Sequence, residues 1–574
     1  MLQTTDLELD IDEVPFSTRG AWIDLSRVVG LHRRSDEVHL VTHQTGMHPI
    51  LGLIPVVGDE PVSADTVMMP HVLAWRSSAG SIEAVFDGPS AIRLRGTGLG
   101  MRFVASSELT PFTGGYLFID PFDGSTVLTS YESGRRYRLT VVTGDSRVTG
   151  AGVVGAAERD ITLDSAVPWE IALEEFETAA SPYDRRSTFD ELLSRQRLEF
   201  QKYARGVLGD PGESAAQVKA AYVLWSATVS PSGFVGREAI LMSKHWMDKV
   251  WSWDHCFNAI ALADADPDAA LAQFLLPFDH QDASGALPDS ITHSEVLYNF
   301  VKPPIHGWAF AQLRARSARP FTAEELKLVH GRLADWSRFW LNYRRAPGAP
   351  LPYYQHGNDS GWDNSTTFDA SRVIVSPDLA AFLLLQLREL STLAAVLDES
   401  GDEWDSAAAA IESALFSELW TGSGFIAKDA VSGATAPATS LLNSLPIVLG
   451  DQLPHDVAAV LAATIGEHLT EWGPATEPVA SDLYESDGYW RGPIWAPSTF
   501  LIEDGLRRAG HTDLADRVSS SFRAACERSG FAENFDAVTG EGLRDRAYTW
   551  TASCYLTLTT DAARRNRAKT SGER

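Results

Sequence analysis

The chain has 574 residues, 44% hydrophobic and 22% charged, with a formal net charge of −28. That length suits two or three globular domains, and so acidic a surface argues against a nucleic-acid partner, whose phosphates need a basic face. The three cysteines, Cys256, Cys526 and Cys554, make neither a disulfide framework nor a zinc spacing.

The N-terminal stretch MLQTTDLELDIDEVPF has no basic region followed by an apolar run, so a signal peptide is not expected. No segment reaches eighteen consecutive apolar residues. The expectation is a cytoplasmic protein with no membrane partner. Up to residue 185 the texture is β. EVHLVTH, AIRLRG, TVLTSYES and RYRLTVVTG alternate apolar and polar residues between turns containing Gly and Asp. These strands predict a β-sandwich over 1–185, with the irregular GLIPVVGDEPVSADTVMMPHVL (52–73) as a loop. SPYDRRSTFDELLSRQRLEF then predicts an ordered linking helix within 186–215.

Beyond it, twelve segments carry helical signals: about 218–230, 254–264, 267–280, 304–317, 322–344, 377–398, 402–420, 437–450, 454–470, 494–508, 511–528 and 546–561. Many repeat apolar residues at i, i+3 and i+4, as in AEELKLVHGRLADWSRFWLNY. Asp, Ser or Thr often marks the start. No strands intervene at regular spacing. Six inner and six outer helices, an all-α (α/α)6 barrel over 216–565, follow from the pairing, with a polar tail at 566–574.

Three of the 17 tryptophans, Trp22, Trp75 and Trp169, precede residue 200. In the helical part several sit beside acids in loops: Trp246, Trp251 and Trp253 in KHWMDKVWSWDH, Trp362 in SGWDNS, Trp490 and Trp495 in YWRGPIW. A sugar presents an apolar face and a rim of hydroxyls, which suits an aromatic ring beside Asp or Arg. Glycoside hydrolysis needs two carboxyl groups flanking the scissile bond. Asp363, next to Trp362, is one candidate, since the ring can desolvate it. Glu533, with Phe531 and Phe535 two residues to either side, is the other. Glu541, Glu485, Asp487, Asp359, Asp282 and Asp289 compete, and Glu541 reads as a turn residue. His255 and His306 read as local hydrogen-bonding groups. Without HExxH or a D-x-D-x-D-G loop, no metal or cofactor is expected.

WSWDH, SGWDNS, GYWRGPIWAPS and ENFDAVTGEG, in that order, resemble the motif series of glycoside hydrolase family 63 and its trehalase-like relatives, over about residues 200–565. The resemblance implies an inverting, exo-acting α-glycosidase built on an (α/α)6 barrel. It implies Asp363 as general acid and Glu533 as general base. It makes Trp253, Asp254, Tyr489, Trp490, Arg491 and Trp495 walls of the subsite for the non-reducing sugar, and Gln281 a looser match to a sugar contact. Two departures stand out: STTFD follows the acid where relatives often have a Pro-Arg pair, and the base motif reads ENF where trehalases have a Tyr. The reading is a hydrolase releasing a terminal α-linked hexose, glucose first, from a small carbohydrate or glycoside partner. A phosphorylase or sugar isomerase on the same scaffold and a non-catalytic sugar-binding protein are the alternatives. Neither the aglycone nor the oligomeric state is legible.

Overall fold

A computed structural model describes residues 7–107, 114–209 and 214–571. Residues 1–6 of the stretch read for a leader, 108–113 of the expected sandwich, 210–213 of the expected linker and 572–574 of the expected tail lie outside the described residues. The chain divides into two compact units, one running to Lys249 and taking in Thr292–Glu295, the other comprising Val250–Ile291 and the chain from Val296.

The first unit holds two antiparallel sheets, a β-sandwich. One sheet orders its strands Ile23–Gly30, Arg33–Thr42, His48–Val57, Gly100–Ala105, Asp160–Leu163 and Ser146–Thr149, with Glu60–Pro61 on the side of His48–Val57. The other orders Gly115–Ile119, Thr126–Ser130, Arg136–Thr143, Trp169–Phe176, Ala91–Thr97, Ser81–Phe86, Val72–Arg76 and Asp65–Met69. Buried cross-strand rows, such as Leu53–Phe103–Ile161 and Ala84–Leu94–Ile171, form the core. The segment 52–73, expected as a loop, is largely strand. Pro55 and Pro61 break its visible alternation, yet Leu53, Val56, Met68 and Leu73 are buried, and the main chain of 48–57 pairs on both sides.

Helix α1 (Phe189–Leu208) starts at a capping box in which Thr188 and Glu191 satisfy each other's backbone N–H. It buries Phe189, Leu192, Gln196, Phe200, Ala204 and Leu208, a stripe at helical spacing. Helix α2 (Ala215–Ala227) starts at a second box, Ser214 and Gln217, and packs on α1. The first of the twelve expected helices therefore belongs to the first unit, and the units divide at 249/250 rather than near 215.

The second unit contains α3 (His255–Leu262), α4 (Pro267–Leu275), α5 (His306–Arg316), α6 (Ala323–Tyr343), the single turn α7 (Gly357–Ser360), α8 (Pro377–Val396), α9 (Asp402–Ala414), α10 (His455–His468), α11 (Ala496–Arg508), α12 (Thr512–Ser529) and α13 (Thr549–Ser571). The expected helix at 437–450 is a 3-10 run, Leu441–Gln452, with Pro446 inside and a kink at Gly450. Pro446 lacks an N–H and cannot continue an α-helical ladder. Packing closes a ring: α3 on α5, α5 on α8, α8 on Leu441–Gln452, that run on α11, α11 on α13, and α13 on α3. Around it α4 packs on α3, α6 and α9 on α8, α10 on Leu441–Gln452, and α12 on α11 and α13. The expected tail is helical as far as Ser571, an extension of α13. Among the described residues α8 alone is long and apolar enough to cross a membrane, and 72% of its most apolar window is buried inside the protein.

Candidate active site

The loops leading into the ring helices α3, α8, α11 and α13 carry the four motifs. In HGNDSGWDNS, α7 ends on Gly361 in the left-handed region (φ 74°). A Cβ there would lie 2.4 Å from the Trp253 ring, and one on Gly357 would lie 2.1 Å from the Asp363 carbonyl oxygen. Both glycines are thus explained by close approach. Asp359 is a brace: it accepts from Val301 N–H (3.1 Å) and Gln355 N–H (2.8 Å) and pairs with Arg344 (2.7 Å). The loop buries Trp362 completely and leaves the neighbouring Asp363 partly accessible.

Trp362 stacks on Trp490 with centroids 4.7 Å apart, and Trp490 stacks on Trp495 at 4.0 Å. Trp495 meets Trp550 edge-on, and Trp550 meets Trp253 in the same way. Both faces of Trp490 are therefore covered by indoles, and Trp362, Trp490, Trp495 and Trp253 are all buried. These rings form a column that carries the loops. Asn364 locks the acid loop to YWRG: its Oδ1 accepts from Trp490 N–H (2.9 Å) and its Nδ2 donates to Gly488 O (3.0 Å). Arg491 forks onto Asp369 at 2.8 and 2.9 Å. Tyr489 has φ 65°, unusual for a residue with a side chain. Arg544, at φ 61°, lies over its ring at 5.0 Å. Two strained residues in contact beside buried acids mark a site where geometry is held against preference.

Glu533 lies between Phe531 and Phe535, both buried. Phe535 exchanges two backbone hydrogen bonds with Ile494, at 2.8 and 3.0 Å, and Glu533 N–H donates to Asp545 O at 2.8 Å. Glu533 is 1% exposed, and neither carboxyl oxygen makes a hydrogen bond of normal geometry. Burial pushes its pKa up, and the neighbouring Asp545 adds to the shift; Arg544 and the Tyr489 hydroxyl oppose it, Asp363 adds to it, and the result is about 8. Asp363 is raised as well. Burial is the main cause, Lys302 opposes, Asp289 adds and His356 opposes. Asp254 is raised well above the usual range by burial, against the pull of Lys302 and with Asp363 and Asp289 adding. Tyr489 senses Asp363, Glu533 and Asp254 together. Asp254, Asp363, Tyr489 and Glu533 thus share one electrostatic neighbourhood.

Gln281 is placed differently. Its Nε2 donates to the carbonyls of Gly285 (2.9 Å) and Arg332 (3.1 Å), which engages the amide in holding a turn. Glu541, Glu485 and Asp487 are exposed; the last two pair with Arg491 and Arg544. Asp282 closes an Asx turn onto Ser284. Lys302, Arg544, Asp545, Tyr548 and Trp550 were not singled out from sequence. Lys302 sits in FVKPP, with no motif around it; Arg544 and Asp545 lie just beyond ENFDAVTGEG, with no aromatic neighbour within two residues before them to signal desolvation. Among the described residues no three His, Cys, Asp or Glu side chains converge in a metal-ligating arrangement.

Residues 247–551 match the family model for the mannosylglycerate hydrolase MGH1-like glycoside hydrolase domain. That span includes every motif above. The chain is 25% identical over 397 residues to the mannosylglycerate hydrolase of Rubrobacter radiotolerans, covering 53% of this chain and 89% of that protein. It is 23% identical over 449 residues to the glucosylglycerate hydrolase of Mycolicibacterium hassiacum, covering 60% and 98%. Among solved structures, a GH63 mannosylglycerate hydrolase from Thermus thermophilus in complex with Tris and D-glycerate aligns with a TM-score of 0.53 at 21% identity, covering 59% of this chain and 99% of that one. A bacterial glucoamylase complexed with acarbose aligns over 97% of this chain and 94% of its own, with a TM-score of 0.62 at 12% identity. At these identities the two structures speak for the fold.

Proposed function

This chain belongs to the mannosylglycerate hydrolase MGH1-like family within glycoside hydrolase family 63 and is a glycosidase, and we propose that it is an inverting, exo-acting one with Asp363 as general acid and Glu533 as general base. The helical ring with its outer layer is read as an (α/α)6 barrel whose loops build the site. The observation that carries the proposal is the pair itself. Asp363 and Glu533 are both lifted by burial, and the charge of Asp363 is among those that raise Glu533. Two carboxyls in that relation hold a single proton between them more readily than none or two. The reactive form has the proton on Asp363, ready for the glycosidic oxygen, and none on Glu533, which takes a proton from water as it attacks the anomeric carbon. Arg544 and Tyr489 steady the Glu533 anion. A phosphorylase has no need of such a base.

The substrate is proposed to be a small glycoside with a terminal α-linked glucose or mannose, of the hexosylglycerate type on which the named relatives act. Asp254 and Tyr489 face the sugar, and the tryptophan column holds them from behind. The test is hydrolysis of glucosylglycerate, mannosylglycerate and α-linked disaccharides, with the product anomer followed by NMR. Release of the β-anomer supports the proposal. Release of the α-anomer, or turnover that requires phosphate, overturns it.

A further inference from the structure

Lys302 is a buried ammonium joining two loops that are far apart in sequence. Its Nζ donates to the Asn358 carbonyl at 2.8 Å and lies 3.1 Å from Asp289 Oδ1, with the side chain 6% exposed. Asn358 is in α7, which delivers Trp362 and Asp363 through the Gly361 turn. The preceding residue, Val301, is bonded to Asp359 of the same turn at 3.1 Å. On the other side, the Asp289 carbonyl accepts from Ser252 N–H at 3.3 Å. Trp251 pairs with Ser290, and Asp254 follows two residues after Ser252. One side chain therefore spans from the Asp363 loop to the Asp254 loop.

Its charge matters as much as its reach. Burial works against the ammonium, but Asp363, Asp289 and Asp254 overcome it and keep Lys302 protonated. Asp363 in turn is faced by Lys302, Asp289 and His356, and it acts on Asp254, Glu533 and Tyr489. Without the ammonium, buried carboxyls would face one another with their nearest buried cation removed, which drives protonation or separation of the loops.

We propose that Lys302 is a positioning residue of the glycosidase site, an internal clamp whose ammonium holds the Asp363 loop against the Asp254 loop and offsets the carboxylate charge gathered between them. This rests on the reading of Asp363 as general acid. Held on Asn358 and Asp289, Lys302 sets where the acid stands and how readily the acid keeps its proton.

The test compares Lys302→Met, Lys302→Arg and Asp289→Asn for the pH profile of kcat/KM on glucosylglycerate or mannosylglycerate. The optimum lies midway between the two ionisations of the acid–base pair, so it moves with either of them. Removing the cation in Lys302→Met moves the optimum up by about one pH unit and lowers kcat by about 100-fold, as expected for a misplaced acid. Removing the carboxylate in Asp289→Asn moves the optimum down. Lys302→Arg, which keeps the charge but not the shape, keeps the wild-type optimum with reduced kcat. A merely structural lysine would lower kcat and leave the optimum in place in all three, and that result overturns the proposal, as does wild-type kcat in Lys302→Met. Should Lys302→Met fail to fold, Asp289→Asn decides: an unchanged or raised optimum refutes the clamp. Asp363→Asn separates the two readings. If it abolishes turnover of the natural glycoside but spares an activated aryl glycoside, the acid assignment holds whatever Lys302 does. If it behaves as wild type, the acid assignment falls first.

Discussion

Trp490 lies flat on Trp495, with ring planes 5° apart and centroids 4.0 Å apart, and its other face is taken by Trp362. The residue next to the candidate acid is thereby mounted on the YWRGPIW segment, and Asn364 adds a hydrogen-bonded lock between the same two loops. Trp490→Ala is expected to cost about 3–5 kcal/mol of stability, the usual range for emptying a buried aromatic site. Asn364→Ala, which removes two partly exposed bonds, is expected to cost about 1–2 kcal/mol. Both should lower kcat at least about 10-fold, because each frees the acid loop. Denaturant unfolding and steady-state kinetics check this. A Trp490→Ala enzyme with native stability and a raised KM alone would make the ring a sugar platform instead.

The pH profile follows from burial. An ordinary Asp–Glu pair ionises near pH 4, but here both carboxyls are raised, Glu533 to about 8. With Glu533 as the proposed base and Asp363 as the proposed acid, activity requires the first ionised and the second protonated, so kcat/KM should climb from pH 5 toward neutral or mildly alkaline values. Arg544 is one of the groups that hold Glu533 down. Arg544→Met therefore raises that ionisation further and moves the optimum to higher pH. An optimum below pH 5 in the wild type, or a shift to lower pH in the variant, contradicts the assignment.

Stability of the first unit depends on a histidine held between two acids. His43 Nε2 lies 2.9 Å from Asp24 and Nδ1 lies 3.2 Å from Asp248, all fully or almost fully buried. Burial alone would lower the imidazole pKa, but the two hydrogen bonds overcome it and raise it to about 9 from 6.5. Because the folded value is the higher one, this contribution is complete below pH 6.5 and is lost as pH rises through about 9. Buried Lys244, lowered to about 7, has the opposite slope, so the comparison must be with a variant. His43→Leu should lose about 3–5 kcal/mol at neutral pH, the usual effect of leaving a buried charge without its partner. The gap to wild type should narrow between pH 7 and 10 in thermal melts. A gap that stays constant with pH would mean that His43 is neutral in the folded protein.

Periodicity made the helices legible. The apolar spacing of AEELKLVHGRLADWSRFWLNY predicts 322–344 and the helix spans Ala323–Tyr343, because one buried face imposes the period that the eye detects. The strands of 52–73 were hidden because two prolines interrupt an alternation that the neighbouring strands nonetheless complete. Sequence adjacency brought out Asp363 and Glu533, since aromatic neighbours signal desolvation. It does not say which way a ring faces or that Trp362, Trp490 and Trp495 stack on one another in a buried column. Lys302 was illegible for a plainer reason: its three carboxyl partners come from loops 13 to 61 residues away in the chain, and no local pattern records such a meeting.

Gly361 offers the sharpest local test. Its φ of 74° lies in the left-handed region, and a Cβ there would meet the Trp253 ring at 2.4 Å. Gly361→Ala thus combines backbone strain of about 1 kcal/mol with a clash that an indole wedged against Trp550 cannot relieve by rotating. The loop must move, and with it Asp363 on one side and Asp254, next to Trp253, on the other. A displacement of about 1 Å at a reacting group costs about 100-fold in rate. Gly422 is the control: it too has positive φ, at 92°, but a Cβ there meets nothing within 4 Å. Gly422→Ala should therefore show the strain alone, with a small loss in melting temperature and wild-type kcat. Gly361→Ala should show a comparable or somewhat larger loss in melting temperature and a kcat reduced by about 10- to 100-fold. Equal, near-native kcat in both would mean that the acid loop tolerates displacement, and that close packing of Gly361 on Trp253 does not position the acid.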